Sequence, residues 1–166
     1  MSYLSTIPED ISEEAQKRSA VLRRVGLGLV FLFVVAAFLL GVRSQTVQAT
    51  SGDLVVDVTY PGVGRRGLAT PLEVHVSLPA PGRVVVWLNN AYLGQLDHNS
   101  WVPEPAEILT QGFETGLVFE PESELLEVNL DTRFAPSVRP GRHPLHIRIE
   151  AASESIVFEL TTWVVP

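Results

Sequence analysis

The chain has 166 residues, 46% of them hydrophobic and 19% charged, with a net charge of −7 and no cysteine. The lack of cysteine excludes disulfide scaffolds, thiol nucleophiles, Cys-ligated metal centres and lipoprotein acylation, and the acidic balance argues against nucleic acid as a partner. A charged fraction below the ~25% of ordinary soluble domains points to one segment with more than its share of apolar residues.

Residues 1–24 read as a short cytoplasmic segment. Thr6-Ile7-Pro8-Glu9 has the form of a capping box, and a helix starting there places Ile7, Ile11 and Ala15 in one row. Residues 25–42, VGLGLVFLFVVAAFLLGV, hold neither a charge nor a hydrogen-bonding side chain. As a helix they measure about 27 Å, close to the ~30 Å hydrocarbon core of a bilayer. Their Leu, Val and Phe residues favour insertion by about 4–8 kcal/mol, so a transmembrane helix acting as a signal anchor in the lipid bilayer is predicted. Lys17, Arg18, Arg23 and Arg24 precede the run and only Arg43 follows closely. That asymmetry puts the N-terminus in the cytoplasm and the C-terminal domain on the extracytoplasmic side of the cell membrane. The competing expectation is a signal peptide cleaved after Ala49, although the run is longer and its leader more acidic than such signals usually are. The span offers no proton relay or ion path. Ala37 and Gly41 make a small-xxx-small pair through which two copies could associate.

Residues 43–52 are a polar stalk, and from residue 53 to 166 the hydrophobic period changes to two. Strands are predicted at Leu54–Tyr60, Leu72–Leu78, Val84–Leu88, Ala91–Leu96, Ile108–Phe119, Leu125–Asp131, Pro144–Glu150 and Ser155–Val164, with Gly112 a possible break. Pro61-Gly62, Pro79 to Gly82, Pro121 and Pro140-Gly141 punctuate them. About seven or eight short strands with no amphipathic helix between them predict an all-β antiparallel sandwich. Strict reversal at each connection puts loops 79–83, 97–107 and 132–143 near the membrane, and loops 61–71, 89–90, 120–124 and 151–155 far from it.

Strand spacing, domain size and Trp87 in the third strand resemble an immunoglobulin-like or fibronectin III-like domain. The pieces VVVWLNNAYLGQL and PGRHPLHIRIE are similar to small surface-layer and sugar-associated β modules of bacterial envelopes. The resemblance covers about residues 53–165, lacks the Cys pair and the tyrosine corner, and implies a fold without an activity.

Gly62, Gly64 and Gly67 spell G-x-G-x-x-G, but another strand follows where a dinucleotide site needs a helix N-terminus. His75, His98, His143 and His146 lack metal-ligand spacing, and Asp97, His98 and Ser100 sit side by side, which no catalytic relay tolerates. No catalytic residue, metal or cofactor is expected. From residue 53 on, fifteen acids face seven arginines. The expected function is a non-catalytic accessory or scaffolding subunit of a membrane or envelope complex. It would contact a larger integral membrane protein through Trp101, Val102, Phe134, Arg139 and Arg142, because large aromatics and arginines on Pro-bracketed loops are typical interface anchors. The alternative is a membrane-anchored binding module for envelope glycan or a small ligand, using Arg65, Arg66, Asn89, Asn90 and Tyr92. A cleaved, secreted inhibitor or adhesin is a third expectation.

Overall fold

The structure is a computed structural model describing the backbone of residues 9–39 and 43–166 and the side chains of residues 18–35, 43–97 and 100–166. The chain divides into two compact units, Met1–Leu40 and Gly41–Pro166.

The first unit is a helix, α1 (Glu9–Leu39). The expectation of a transmembrane anchor over residues 25–42 is corrected here: among the described residues, no helix is long and apolar enough to cross a membrane. The described side chains of α1, residues 18–35, include Arg18, Arg23 and Arg24. They leave residues 25–35 as the described apolar stretch, about 16 Å of helix against the ~30 Å hydrocarbon core. The end of the apolar run, with the Ala37 side chain and Gly41, lies outside the described residues. So do Thr6 and the side chains of Ile7, Ile11 and Ala15.

The second unit is mostly β-strand. Its elements are β1 (Arg43–Ser51), β2 (Leu54–Arg65), β3 (Leu72–Ser77), β4 (Val84–Asn89), the single-turn helix α2 (Asn90–Leu93), β5 (Leu96–Val102), β6 (Glu107–Gln111), β7 (Glu114–Phe119), β8 (Leu125–Phe134), β9 (Gly141–Ala151) and β10 (Glu154–Val165). The expected stalk is therefore largely a strand. β1 pairs with β2 along its length, from Ser51 opposite Leu54 to Arg43 opposite Val63, around a turn where Gly52 has φ +55°. Val47 and Ala49 of β1 pack on the core. The predicted strand 91–96 is replaced by α2, and the predicted strand 108–119 breaks at Gly112 into the hairpin β6–β7. Gly112 has φ +57° at the first central position of this two-residue turn, where a type II′ hairpin needs glycine.

The strands form one sheet in the order β5-β8-β3-β2-β10-β9-β4-β7-β6, with β1 added beside β2. β2 changes partner along its length. Val55 to Thr59 pair antiparallel with β3, and Val63 to Arg65 pair parallel with β10, so the sheet is not purely antiparallel as expected. This switch curls the sheet until its two halves share one core. Val56, Val58, Val74, Val76, Val128 and Leu130 meet Val86, Leu88, Leu145, Ile147, Ile149 and Phe158 in a single cluster, an arrangement compatible with a β-sandwich. Each such side chain, fully buried, contributes about 1.5–3 kcal/mol.

Trp87 departs from the expected pattern. Val84, Val86 and Leu88 of β4 face the shared core, while Val85 and Trp87 face the other way and form a second cluster with Val118 and Leu109. Trp87 Nε1 donates to Glu150 Oε2 at 3.0 Å, and the Arg148 guanidinium lies 4.8 Å from the indole centroid. Arg148 also bonds both Glu114, at 2.7 Å, and Glu150. The ring thus sits under an ion-pair network on the outer face instead of in the main core. Gly116 makes room for it, since a Cβ there would lie 2.8 Å from the indole.

Candidate functional site at the basic end of the sheet

Register brings the ends of β1, β2, β8, β9 and β10 together. Arg142 lies opposite Trp163, Trp163 opposite Val63, and Val63 opposite Arg43, so one cross-strand row runs through four strands. Partners across a ladder share a face, and Arg65, two residues beyond Val63 and paired with Val165, extends the same face. Trp163 is 51% exposed because Ile156, Phe158, Thr162 and Val164 take the inward positions of β10. The Arg142 guanidinium lies 5.9 Å from its ring centroid, a cation–π contact worth about 0.5–1 kcal/mol at an exposed site.

Two further arginines flank this face. Arg66 forms a bridge with Phe134 and donates through Nη1 to the Pro136 carbonyl at 3.4 Å, and exposed Arg139 lies three residues further along that loop. Arg65 Nε donates to the main-chain oxygen of Pro166 at 2.9 Å. The Pro136 carbonyl holds Arg66 without neutralising it. Among the described residues, no Asp or Glu side chain forms an ion pair with Arg43, Arg65, Arg66, Arg139 or Arg142, whereas Arg133 nearby is paired with Asp97 at 2.9 Å.

The opposite end is acidic. It gathers the turn at Asp53, the segments holding Glu104 and Glu107, the loop with Glu120, Glu122 and Glu124, and the β9–β10 turn with Glu150 and Glu154. Arg83 is there too, 3.7 Å from Glu107. A domain that is acidic overall therefore concentrates its arginines at one end and leaves most of its carboxylates at the other.

The expected loop grouping is corrected by this arrangement. Loops 61–71 and 132–143, expected at opposite ends, meet through Arg66 and Phe134 and through Thr70, whose N–H donates to the Thr132 carbonyl at 2.8 Å. Loop 79–83 instead lies with 151–154 around a shared cavity of about 570 Å³. The grouping failed because the β6–β7 hairpin adds a reversal in the middle, which inverts every later loop.

Of the expected contact residues, Arg139 and Arg142 lie exposed at the basic end and Val102 is exposed at the end of β5. Phe134 is corrected. It is 0% exposed, packed edge-on against Tyr92 with centroids 5.8 Å apart, and belongs to the core. Trp101 lies within β5, not on a free loop, and packs partly on the core. Of the alternative ligand set, Arg65 and Arg66 join the basic end. Asn89 and Asn90 are half-buried and tie neighbouring strands together, and Tyr92 lies in the core. Asn89 Nδ2 donates to the Pro144 carbonyl at 3.1 Å and its Oδ1 accepts the His146 N–H. Asn90 Oδ1 accepts Thr115 Oγ1 at 2.6 Å. Tyr92 is buried and shares a 3.0 Å hydrogen bond with Thr162, and desolvation holds its phenol well above the usual tyrosine range. The expectation missed Trp163 and Arg43. The inward alternation of Ile156, Phe158 and Val164 was the signal that turns Trp163 outward.

The glycines of G-x-G-x-x-G have structural roles. Gly64 passes so close to Phe134 that a Cβ would lie 2.5 Å from the ring, Gly62 passes the Gln45 side chain, and Gly67 has φ +73° in an open turn. Among the described residues, no group of three or more His, Asp or Glu is placed to hold a metal ion. His75 lies between Glu73 and Glu127 on β3 and β8, and His143 Nε2 donates to the Arg139 carbonyl at 2.8 Å. The side chain of His98 lies outside the described residues.

No protein-family model matches the chain, and no curated protein matches it. Among solved structures the chain is similar to a family 123 glycoside hydrolase from Clostridium perfringens, described for glycolipid glycan hydrolysis. The TM-score is 0.38 at 13% identity, covering 62% of this chain and 22% of that one. It is also similar to the alkylpurine DNA glycosylase AlkC of Pseudomonas fluorescens, with a TM-score of 0.29 at 18% identity, covering 66% and 31% respectively. The chain spans less than a third of either enzyme. Superpositions this loose decide neither for nor against an enzyme.

Proposed function

We propose that the β-rich unit is a non-catalytic docking module that acts as an accessory subunit, binding an acidic surface of a partner protein through Arg43, Arg65, Arg142 and Trp163, with Arg66 and Arg139 at the rim. The observation that carries this is the cross-strand row Arg142–Trp163–Val63–Arg43, a positive, aromatic face on an acidic domain. Trp and Arg are the residues most enriched among interface hot spots. Holding like charges together on one rigid face costs repulsion, which an anionic partner relieves while gaining orientation and a faster encounter.

For the scaffold, the strand order favours an immunoglobulin-like plan. The run β2-β3-β8-β5 corresponds to the A-B-E-D sheet of such sandwiches and β10-β9-β4 to G-F-C, with the β6–β7 hairpin and β1 as additions. Trp87 plays no part in that argument, because it lies outside the shared core.

The test is co-isolation of the full-length protein with its partner from native extract in mild detergent. Truncating Arg142 or Trp163 to Ala should each weaken capture by about 2 kcal/mol, roughly thirtyfold, as for a central hot spot. Rising salt should release the complex, because the face is exposed to screening. Nuclease treatment should leave it intact. Loss on nuclease treatment, or capture indifferent to both truncations, would refute the proposal.

A further inference from the structure

Three strands border on solvent along one edge, and they are not alike. β1 is polar, and its two apolar residues, Val47 and Ala49, pack on the core. β5 is interrupted by a register shift between His98 and Ser100 and is followed by Pro103. Bulges and prolines are the devices by which proteins blunt an open edge. β6 has neither along Ile108–Gln111. It pairs in unbroken register with β7, no described strand pairs with its other side, and it presents Ile108 at 61% and the turn residue Phe113 at 89% exposure.

From this we infer that β6 is a homodimer interface, in which two copies of the chain pair their β6 strands antiparallel about a two-fold axis at Leu109. The partner follows from the register. In a two-residue hairpin the pair flanking the turn, Gln111 and Glu114, exchanges both backbone hydrogen bonds. Leu109 and Gln111 therefore direct their N–H and C=O toward β7, and Ile108 and Thr110 direct theirs outward. An antiparallel copy centred on Leu109 sets Ile108 opposite Thr110 of the second copy, so each outward donor meets an outward acceptor. Glu107 then lies opposite an uncharged amide, Gln111. The two Glu107 carboxylates stand about 14 Å apart along the strand direction, beyond the screening length of about 8 Å at physiological salt. A second copy thus satisfies the outward backbone groups of Ile108 and Thr110, opposes no like charges and adjoins the exposed Ile108. This interface is independent of docking at the basic end.

The absence of native cysteine makes the test clean. A single Cys is placed in the full-length protein at Leu109→Cys, where cross-strand partners at a non-hydrogen-bonded pair come closest, or at Ser155→Cys, an exposed control on β10. Mild oxidation in detergent solution should convert Leu109→Cys mostly to covalent dimer and leave Ser155→Cys monomeric. Light scattering on the cysteine-free protein should report a dimer. Adding Ile108→Lys to Leu109→Cys should reduce cross-linking at least tenfold with the thiol still reactive to a small alkylating probe. A monomer at all concentrations, a dimer that fails to cross-link at residue 109, or cross-linking unchanged by Ile108→Lys would each overturn the inference. The second outcome would place association elsewhere, and a monomer whose edge captures an extended peptide would assign β6 to a different partner.

Discussion

Replacing Gly64 with Ala tests how the basic end is built. The added Cβ would lie 2.5 Å from Cε2 and 2.8 Å from Cδ2 of Phe134, whereas carbon atoms rest at about 3.5–4.0 Å. The ring would have to retreat by about 1 Å. It has little room, because Tyr92 meets it edge-on at 5.8 Å and His143 lies 6.3 Å from its centroid on another element. Overpacking of this kind costs about 1–3 kcal/mol, and rigid neighbours argue for the upper half of that range. Urea unfolding followed by tryptophan fluorescence is the assay, since Trp87, Trp101 and Trp163 all lie in the β-rich unit. Phe134→Leu alone loses ring contacts and also destabilises, by about 1–3 kcal/mol. The double variant Gly64→Ala, Phe134→Leu should be more stable than the sum of the single changes by about 1 kcal/mol or more, because the clash is gone. A Gly64→Ala protein within about 0.5 kcal/mol of the parent, or strict additivity in the cycle, would refute the close-approach argument.

Two further predictions follow from backbone strain and from a buried phenol. Ala152, in the β9–β10 turn, has φ 52°, a left-handed conformation that disfavours any residue with a Cβ. Ala152→Gly should raise stability by about 0.5–1 kcal/mol, seen as a higher urea midpoint at unchanged slope. Tyr92 has its folded pKa raised by burial, so the unfolded state loses the phenolic proton first. Its contribution is intact below the ordinary tyrosine value of about 10 and is lost as pH rises above that value, at up to about 1.4 kcal/mol per unit. Tyr92→Phe should flatten this alkaline decline, and an unchanged slope between parent and variant would contradict the assignment.

Much of the sheet is legible from period-two alternation. In β8, Leu126, Val128 and Leu130 are buried while Leu125, Glu127 and Asn129 are exposed, as the pattern requires. The same pattern continues inward through Thr132 to Phe134, and ending the strand at Asp131 is what left Phe134 free to look like a loop contact. β4 hides its facing for a different reason. It is covered on both sides, so Val84 to Leu88 is an uninterrupted apolar run from which no face can be assigned. β1 escapes notice because only Val47 and Ala49 reach the core and its stability comes from pairing with β2. The basic end is illegible for a topological reason. Arg43, Arg65, Arg142 and Trp163 are scattered over 121 positions of sequence and meet only through the partner switch of β2.

Reversal of charge, one end at a time, tests the central claim most directly. The full-length protein would carry Arg65→Glu and Arg142→Glu at the basic end or Glu120→Arg and Glu122→Arg at the acidic end, and partner retention in native extract would be compared with the parent. If the basic end docks an acidic partner surface, the first protein loses its partner and the second keeps it. Equal retention by both, or loss only from the acidic-end variant, would contradict the account.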